Sequence, residues 1–216
     1  RGGGIFRARG DSNVIINGIK VSDMDTISDG RDVGAVGYCL GDGPSKLPKL
    51  IISNVIAKNI QAVKGNILYA KSGCSAELNN VTAYNINSDD RDASKAFGGI
   101  AYLSDEGTEG TINNIDIQDS FVEGGIIAAI RSHVYINNLI AKNIRSTWIG
   151  GTYCERDCYM KLTNAYIENI EGMHVFRLKA DQTPRGAVQE HENITVLNAN
   201  CAKFNGKGCI YHAYNE

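Results

Sequence analysis

Proline and tryptophan are scarce in this chain, which has 3 Pro and 1 Trp among 216 residues. Long apolar runs are missing too: none approaches the roughly 18 residues of a membrane span, and no early stretch resembles a signal peptide. Charge is low, with 21% charged residues and a formal net charge of -2. We therefore expect no membrane span in this segment, and no basic surface that would attract nucleic acid.

Isoleucine, asparagine and glycine are abundant instead, with 26, 21 and 24 residues respectively. Isoleucine favours strands, whereas asparagine and glycine are poor helix formers, so this composition argues against a helical bundle. A hydrophobic content of 43% also excludes a disordered chain.

A repeat organises the chain, with the pattern apolar-x-Asn-apolar-x-apolar-x-Asn-apolar. Five clear copies span 52–60, 78–86, 112–120, 136–144 and 162–170, and weaker copies span 16–24 and 191–199. The first Asn column is Gly18, Asn54, Asn80, Asn114, Asn138, Asn164 and Asn193; the second is Asp23, Asn59, Asn85, Asp119, Asn143, Asn169 and Asn198. Successive members of the first column are 24 to 36 residues apart. Asparagine suits such positions because it tolerates a left-handed corner and its amides can form a hydrogen-bonded ladder.

Each copy is followed by a second block of glycine, apolar residues and usually an aromatic residue. Short β-branched runs at this period predict an all-β fold, a single-stranded parallel β-helix of about seven coils. A leucine-rich repeat would need the LxxLxL frame, and a β-propeller would need longer blades. The longer spacings predict corner insertions at 25–47, 87–96 and 181–190. We expect residues 1–216 to be one β-helix segment of a longer array, because the repeat starts and stops part-way through a coil.

Six cysteines favour disulfides and secretion. In the predicted stack Cys39 lies one coil from Cys74, Cys154 and Cys158 share a corner, and Cys201 with Cys209 would close the last coil. Reduced, buried thiols in a cytosolic chain are the alternative. A zinc site is disfavoured, since no CxxC pair is present. Two N-glycosylation sequons begin at Asn80 and Asn193, and we expect both to be unoccupied unless the ladder corner faces solvent.

Catalytic motifs are incomplete. Asn87-Ser88-Asp89-Asp90 and Arg177-Leu178-Lys179 resemble parts of the inverting polygalacturonase signature, but no second Asp-Asp pair or Gly-His-Gly accompanies them. A pectate lyase needs calcium-binding carboxylates and an arginine base on neighbouring coils. The corner after the second block carries charged residues that could form such a groove: Asp105, Glu106, Glu155, Asp157, Arg131 and Arg156. Charges at a solvated corner need no function, however. The histidines are scattered. We predict no catalytic residue, no cofactor and no metal site, with a polysaccharide lyase or hydrolase as the alternative.

The Asn ladder resembles that of the pectin-lyase-like right-handed parallel β-helix superfamily. More narrowly, the block Gly208-Cys209-Ile210-Tyr211, with sparse cysteines and Asn-rich strands, looks like the repeats of secreted scaffoldins from anaerobic gut fungi. That resemblance implies a non-catalytic, extracellular, cohesin-like module that binds dockerin domains of polysaccharide-degrading enzymes. A glycan-binding adhesin or tailspike segment, with a polysaccharide as partner, is the other alternative.

Aromatic residues divide into two groups. Tyr69, Tyr102, Tyr153, Phe176 and Tyr211 recur at the second block, and we expect strand alternation to turn them into the core. Tyr84, Trp148 and Tyr166 lie outside that series, and we predict that they form an exposed partner-binding face.

Overall fold

Parallel β-strands make up the fold in the computed structural model of the chain, which describes residues 4–26, 34–42, 47–88, 97–180, 186–201 and 209–215. Within these residues thirteen strands form one all-parallel sheet and no helix occurs. The all-β prediction is therefore confirmed. The described residues also contain no helix that could cross a membrane.

Short and long strands alternate from β1 to β6 and again from β9 to β13. They are β1 (Phe6–Arg9), β2 (Asn13–Asp25), β3 (Gly37–Leu40), β4 (Lys49–Ala62), β5 (Leu68–Lys71), β6 (Ser75–Ser88), β7 (Ala101–Phe121), β8 (Ile127–Arg145), β9 (Ile149–Glu155), β10 (Tyr159–Glu171), β11 (His174–Ala180), β12 (Val188–Asn200) and β13 (Tyr211–Asn215). The long strands carry the Asn repeat, and the short ones carry the second block. Strands β7 and β8 contain both parts in one continuous run.

Pairing follows the repeat. One series joins β2, β4, β6, β7, β8, β10 and β12, and the other joins β1, β3, β5, β7, β8, β9, β11 and β13. Equivalent residues of successive repeats stand opposite one another, as Ile52, Leu78 and Ile112 do. We call the residues that one repeat contributes a rung. Neighbouring rungs are about 4.8 Å apart, the usual spacing of paired strands.

Both Asn columns mark bends in the long strands. Every non-glycine member of the two columns has a φ between 50° and 59°, and Gly18 has a φ of 74°. Such a residue interrupts the in–out alternation: in β4, Leu50 and Ile52 are buried before Asn54, and Val55 and Ala57 are buried after it. The left-handed residue thus lets the segments on both sides of the corner face the same core.

The core consists of inward columns of aliphatic side chains that stack from rung to rung. Ile52, Leu78, Ile112 and Leu162 are fully buried, and Ile136 between them is almost so. Burial of one such side chain contributes roughly 1.5–3 kcal/mol. Because the same register repeats in every rung, this stabilisation accumulates along the whole stack.

Three disulfides join the pairs expected from the sequence: Cys39–Cys74, Cys154–Cys158 and Cys201–Cys209. The first of them links neighbouring rungs, since Cys39 stands opposite Ala70. These bonds indicate a non-reducing environment. Of the predicted insertions, residues 27–33, 43–46, 89–96 and 181–185 lie outside the described residues.

Candidate functional site

Two ladders of side chains run along the sheet, one at each corner of the long strands. In ladder one, Asn80 Nδ2 donates to Asn54 Oδ1 at 2.9 Å, and Asn114 Nδ2 donates to Asn80 Oδ1 at 2.8 Å. Asn138 continues it by donating to Asn114, and Asn193 by donating to Asn164. Each amide therefore donates towards the preceding rung and accepts from the following one.

Ladder one departs from this scheme at two places. Gly18 has no side chain, so Asn54 Nδ2 donates instead to the neighbouring Asn17 Oδ1 at 2.6 Å. Asn164 Nδ2 donates to Asn137 Oδ1 at 3.1 Å rather than to Asn138. Asn17 and Asn137 are each the residue before the ladder position, so the repeat holds a second acceptor within reach.

In ladder two the amides also donate towards the preceding rung, but two of its members are carboxylates. Asn59 Nδ2 donates to Asp23 Oδ1 at 2.7 Å, and Asn143 Nδ2 donates to Asp119 Oδ1 at 2.8 Å. The hydrogen bond from Asn59 is the largest cause that lowers the pKa of Asp23, followed by one from Ser22. An ionised aspartate accepts but cannot donate, so Asp119 ends one run of ladder two and begins the next.

The ladder asparagines are exposed to solvent, apart from Asn59, which is half-buried. The possibility that they form a buried row is therefore excluded. The sequons at Asn80 and Asn193 were expected to be unoccupied unless the ladder corner faces solvent. Because the corner does face solvent, that reason against glycosylation no longer applies.

A strip of outward-facing side chains lies between the two ladders, and we call it the ladder face. Two columns of side chains point outward from it: Lys20, Ile56, Thr82, Asp116, Ile140, Tyr166 and Thr195, and beside them Ser22, Lys58, Tyr84, Gln118, Lys142, Glu168 and Leu197. Ile56, Ile140 and Tyr84 are 48%, 41% and 37% exposed. Contiguous exposed apolar patches are typical of interaction surfaces, and Ile56 and Tyr84 line one groove together.

A shallow groove of about 490 Å³ follows ladder one along the edge of this face. Asn54, Asn80, Asn114 and Asn138 line one side, and Ile56, Thr82, Asp116 and Ile140 line the other. The groove thus offers amide donors and acceptors opposite apolar side chains, a combination that suits an elongated ligand or a ridge of a protein partner.

The two tyrosines of the ladder face, Tyr166 and Tyr84, differ in how closely neighbouring side chains contact them. Towards the later rungs, Tyr166 donates to Glu168 Oε2 at 3.1 Å, and Lys142 Nζ lies 3.9 Å from the same carboxylate and 5.5 Å from the Tyr166 ring centre. The hydrogen bond to Glu168 is also the first cause that raises the pKa of Tyr166. Tyr84 stands between Lys58 and Gln118 in its column and exposes its ring.

Of the three aromatic residues predicted to bind a partner, Tyr84 and Tyr166 lie on the ladder face and Trp148 does not. The Trp148 ring is partly buried, 5.2 Å from the Tyr153 ring, and the Arg177 guanidinium covers it at 4.1 Å. The interpretation of Trp148 as part of one exposed face with the tyrosines is therefore wrong. Its indole closes the end of an aromatic stack beside the short strands.

That aromatic stack is a second hydrophobic cluster, separate from the main core. Tyr38, Tyr69 and Tyr102 are consecutive members of one column, with ring centres 5.4 Å and 5.1 Å apart. The next position in the column is Ala128, and Tyr153 follows it. Phe97 fills the missing place, since its ring is stacked 5.5 Å from Tyr102 and 5.9 Å from Tyr153.

The stack corrects the expectation that all the recurring aromatics enter the core. Tyr69, Tyr102 and Tyr153 point away from the main core but are buried in the stack; Phe176 alone lies in the main core, and Tyr211 is 55% exposed. Burial raises the pKa of Tyr69 to about 12 and that of Tyr102 still further. Sequence reasoning missed Phe97; the signal was the alanine that interrupts a tyrosine column.

Two of the acidic residues considered for catalysis, Glu155 and Asp105, contact neighbouring side chains of the chain. Glu155 is nearly buried, accepts a hydrogen bond from Tyr153 and lies 3.6 Å from Lys179 and 3.4 Å from Arg156. Asp105 accepts from Ser72 Oγ at 2.9 Å. Asp89 and Asp90 lie outside the described residues. Glu155 is thus held in structural contacts rather than presented to a substrate.

Three of the four histidines lie near one another at the end of the stack of rungs. The rings of His174 and His212 are 4.3 Å apart, and His191 Nδ1 lies 2.6 Å from the Tyr211 hydroxyl, so these three histidines lie on the last rungs rather than being scattered. Burial lowers the pKa of His191. No group of three His, Cys, Asp or Glu side chains in the described part of the chain is placed to hold a metal ion.

No protein-family model, curated protein or solved structure matches this chain.

Proposed function

We propose that the chain is a right-handed parallel β-helix of about seven coils and that it serves as a non-catalytic, extracellular binding module. The all-parallel sheet, with its repeated register and left-handed corners, supports the β-helix. The right-handed sense follows from the strong preference of parallel crossover connections. The three disulfides support a location outside the cell.

The ladder face is the proposed binding surface. The observation that carries this proposal is the line of exposed apolar side chains at Ile56, Tyr84 and Ile140, held on a rigid strip between two ladders. A partner that covers them would remove apolar surface from water at little cost in side-chain ordering, because the strip is already rigid.

The favoured partner is a protein domain. The resemblance to scaffoldin repeats suggests a dockerin domain of a polysaccharide-degrading enzyme. Tyr84 is its expected anchor, because the ring is exposed and, within the described part of the chain, no cationic side chain lies over it as Lys142 lies over Tyr166. Tyrosine is among the residues that most often dominate protein interfaces.

Titration calorimetry with purified dockerin domains tests this proposal. We expect saturable binding that Tyr84→Ala weakens by about tenfold to a hundredfold, as is usual for an interface anchor. Ile56→Asp should weaken it as well, because it places a charge in the apolar line. Tyr135→Ala is the matched control, since Tyr135 is 48% exposed but lies on the neighbouring strand face before ladder one.

A glycan is the second candidate ligand, and the Tyr135 region favours it. The rings of Tyr135 and Tyr159 are 5.7 Å apart, and His133 lies against Tyr159. Such exposed aromatic groups can stack on sugar rings. Binding to a defined polysaccharide that is lost in Tyr135→Ala, with no binding to dockerin domains, would contradict the protein-binding proposal and support the adhesin alternative.

A further inference from the structure

Two sequons lie within ladder one, at Asn80-Val81-Thr82 and Asn193-Ile194-Thr195. The other ladder-one asparagines lack a serine or threonine two positions on, since Ile56, Asp116, Ile140 and Tyr166 occupy those places. Asn80 and Asn193 are both exposed, as is Thr195, and Thr82 is partly so. Exposure alone does not show whether a glycan fits, because the same amides hold the ladder together.

The direction of the ladder hydrogen bonds identifies the hydrogen that each amide uses. Asn80 donates to Asn54 on the preceding rung and accepts from Asn114 on the following rung. Its N–H and C=O therefore point in opposite directions along the stack, as in a trans peptide group. The hydrogen that bonds the ladder is the one anti to the carbonyl oxygen. The second hydrogen, syn to that oxygen, points away from Cβ and towards solvent.

N-glycosylation consumes the other hydrogen. A glycosylated asparagine is a secondary amide, and secondary amides adopt the trans form, in which the substituent is syn to the carbonyl oxygen and the remaining N–H is anti to it. The sugar then occupies the solvent-facing position, and the ladder hydrogen bond is retained. Asn193 also donates towards the preceding rung, to Asn164 Oδ1 at 3.1 Å.

We propose that Asn80 and Asn193 are N-glycan acceptors whose modification leaves the ladder intact. In the transfer, Nδ2 forms a bond to C1 of the sugar while the bond from C1 to the phosphate of a lipid diphosphate-linked oligosaccharide breaks. The amide loses one proton, and the lipid diphosphate is the leaving group. Transfer takes place before the rung folds, because Val81 is 1% exposed once it has folded. The disulfides are consistent with the secretory route on which this donor is found.

The two positions have different surroundings. Asn80 lines the groove of the ladder face, whereas Asn193 lies four rungs further on and outside that groove. A glycan on Asn80 would border Ile56 and Thr82, so a partner would have to approach from the side of ladder two. The restriction on a partner applies only if the ladder face is the binding surface, whereas glycosylation of Asn80 and Asn193 does not depend on that function.

Secretion of the chain from a eukaryotic host, followed by intact mass measurement, tests the proposal. We expect the mass of the chain plus two glycans, both removed by peptide N-glycosidase under denaturing conditions. Thr82→Val and Thr195→Val should each lose one glycan while keeping the ladder amide. Thr82→Ser and Thr195→Ser, which preserve the sequons, are matched controls and should keep both. A wild-type chain secreted without glycans would overturn the proposal, and a single glycan would overturn it for the unmodified position.

The second measurement concerns the ladder. Thermal unfolding of the glycosylated chain and of the Thr82→Val, Thr195→Val double variant should give Tm values that agree or favour the glycosylated form, because the ladder hydrogen bonds are the same. A markedly lower Tm for the glycosylated chain would mean that the sugar displaces the ladder hydrogen, and the proposed geometry would be wrong. Secretion of the double variant at a normal level shows that loss of the glycan has not simply prevented folding.

Discussion

The asparagine ladders and the aromatic stack are both columns with one member per rung, but they stabilise the molecule in different ways. A ladder member fixes its own corner through a left-handed φ and adds exposed hydrogen bonds to its neighbours. A stack member contributes buried apolar surface and depends on rings from distant segments, as Tyr102 and Tyr153 depend on Phe97. Exposed hydrogen bonds stabilise little because water competes for them, whereas buried rings contribute more. Regular spacing alone therefore does not determine how much a column contributes.

The largest effect should come from removing the inserted ring. Phe97→Ala leaves a gap over Ala128 between Tyr102 and Tyr153, and we expect a loss of about 3 kcal/mol in the free energy of unfolding. Urea denaturation measures it. Ala128→Tyr alone should also destabilise, because the new ring meets Phe97.

In combination with Phe97→Ala, the effect of Ala128→Tyr on stability should change from destabilising to stabilising. In the Phe97→Ala background, Ala128→Tyr supplies the missing member of the tyrosine column and should restore about half of the lost stability. Strictly additive losses in the double variant would show that Phe97 does not occupy the Ala128 gap.

Alkaline pH should distinguish the stack from the ladders. The folded pKa of Tyr69 is raised to about 12 from an ordinary 10.0 by burial, so its contribution is complete below pH 10 and is lost as the pH rises from 10 to 12. We expect about 2 kcal/mol of destabilisation over this range, with tyrosinate absorbance appearing together with unfolding. Tyr69→Phe should weaken the pH dependence. Tyr135→Phe, at an exposed ring, should not.

Two substitutions at one ladder position should separate the stability that comes from the left-handed corner from the stability that comes from the side-chain hydrogen bonds. Asn114→Ala loses a donor, an acceptor and the tolerance for a φ of 56°, and should cost about 2 kcal/mol. Asn114→Gly keeps the left-handed corner and loses only the side-chain bonds, so about 1 kcal/mol is expected. Equal losses in urea denaturation would mean that the corner conformation contributes nothing.

The smallest expected effect is an increase in the free energy of unfolding. Asp119 accepts from Asn143 but cannot donate to Asn85 in the preceding rung, because an ionised carboxylate carries no hydrogen. Asp119→Asn would supply that donor and join the two runs of ladder two. We expect about 0.5 kcal/mol of stabilisation in thermal unfolding at neutral pH. No gain, alongside an unchanged fold, would show that solvent already satisfies Asn85 equally well.

Much of the fold could be predicted because its main determinants are local. The repeated Asn positions, the flanking β-branched residues and the interrupted alternation around Asn54 and Asn59 all appear within nine consecutive residues. Left-handed corners favour asparagine, aspartate and glycine, because glycine has no Cβ and the short polar side chains can hydrogen-bond locally. The cysteine pairs followed from the same register, since neighbouring rungs bring Cys39 close to Cys74.

The candidate site was predicted only in part. Tyr84 and Tyr166 fall on one face because they occupy neighbouring outward columns of a known register. Trp148 lies in the short segment between β8 and β9, where alternation gives no direction, and its place was determined by the Arg177 guanidinium and the Tyr153 ring. The exposure of the ladders likewise depends on what covers the corners, and a repeat pattern does not contain that information.

The sequence by itself determined the repeat, its left-handed corners and the parallel register, because each depends on residue type and on spacing within one repeat. Only the tertiary structure decided which columns are covered: it left the asparagine ladders in solvent, buried the tyrosine column and placed Phe97 over Ala128. Coverage is a property of segments that are distant along the chain and meet only after folding. The ring that fills a gap in one rung can therefore come from another part of the chain, and no local pattern predicts it.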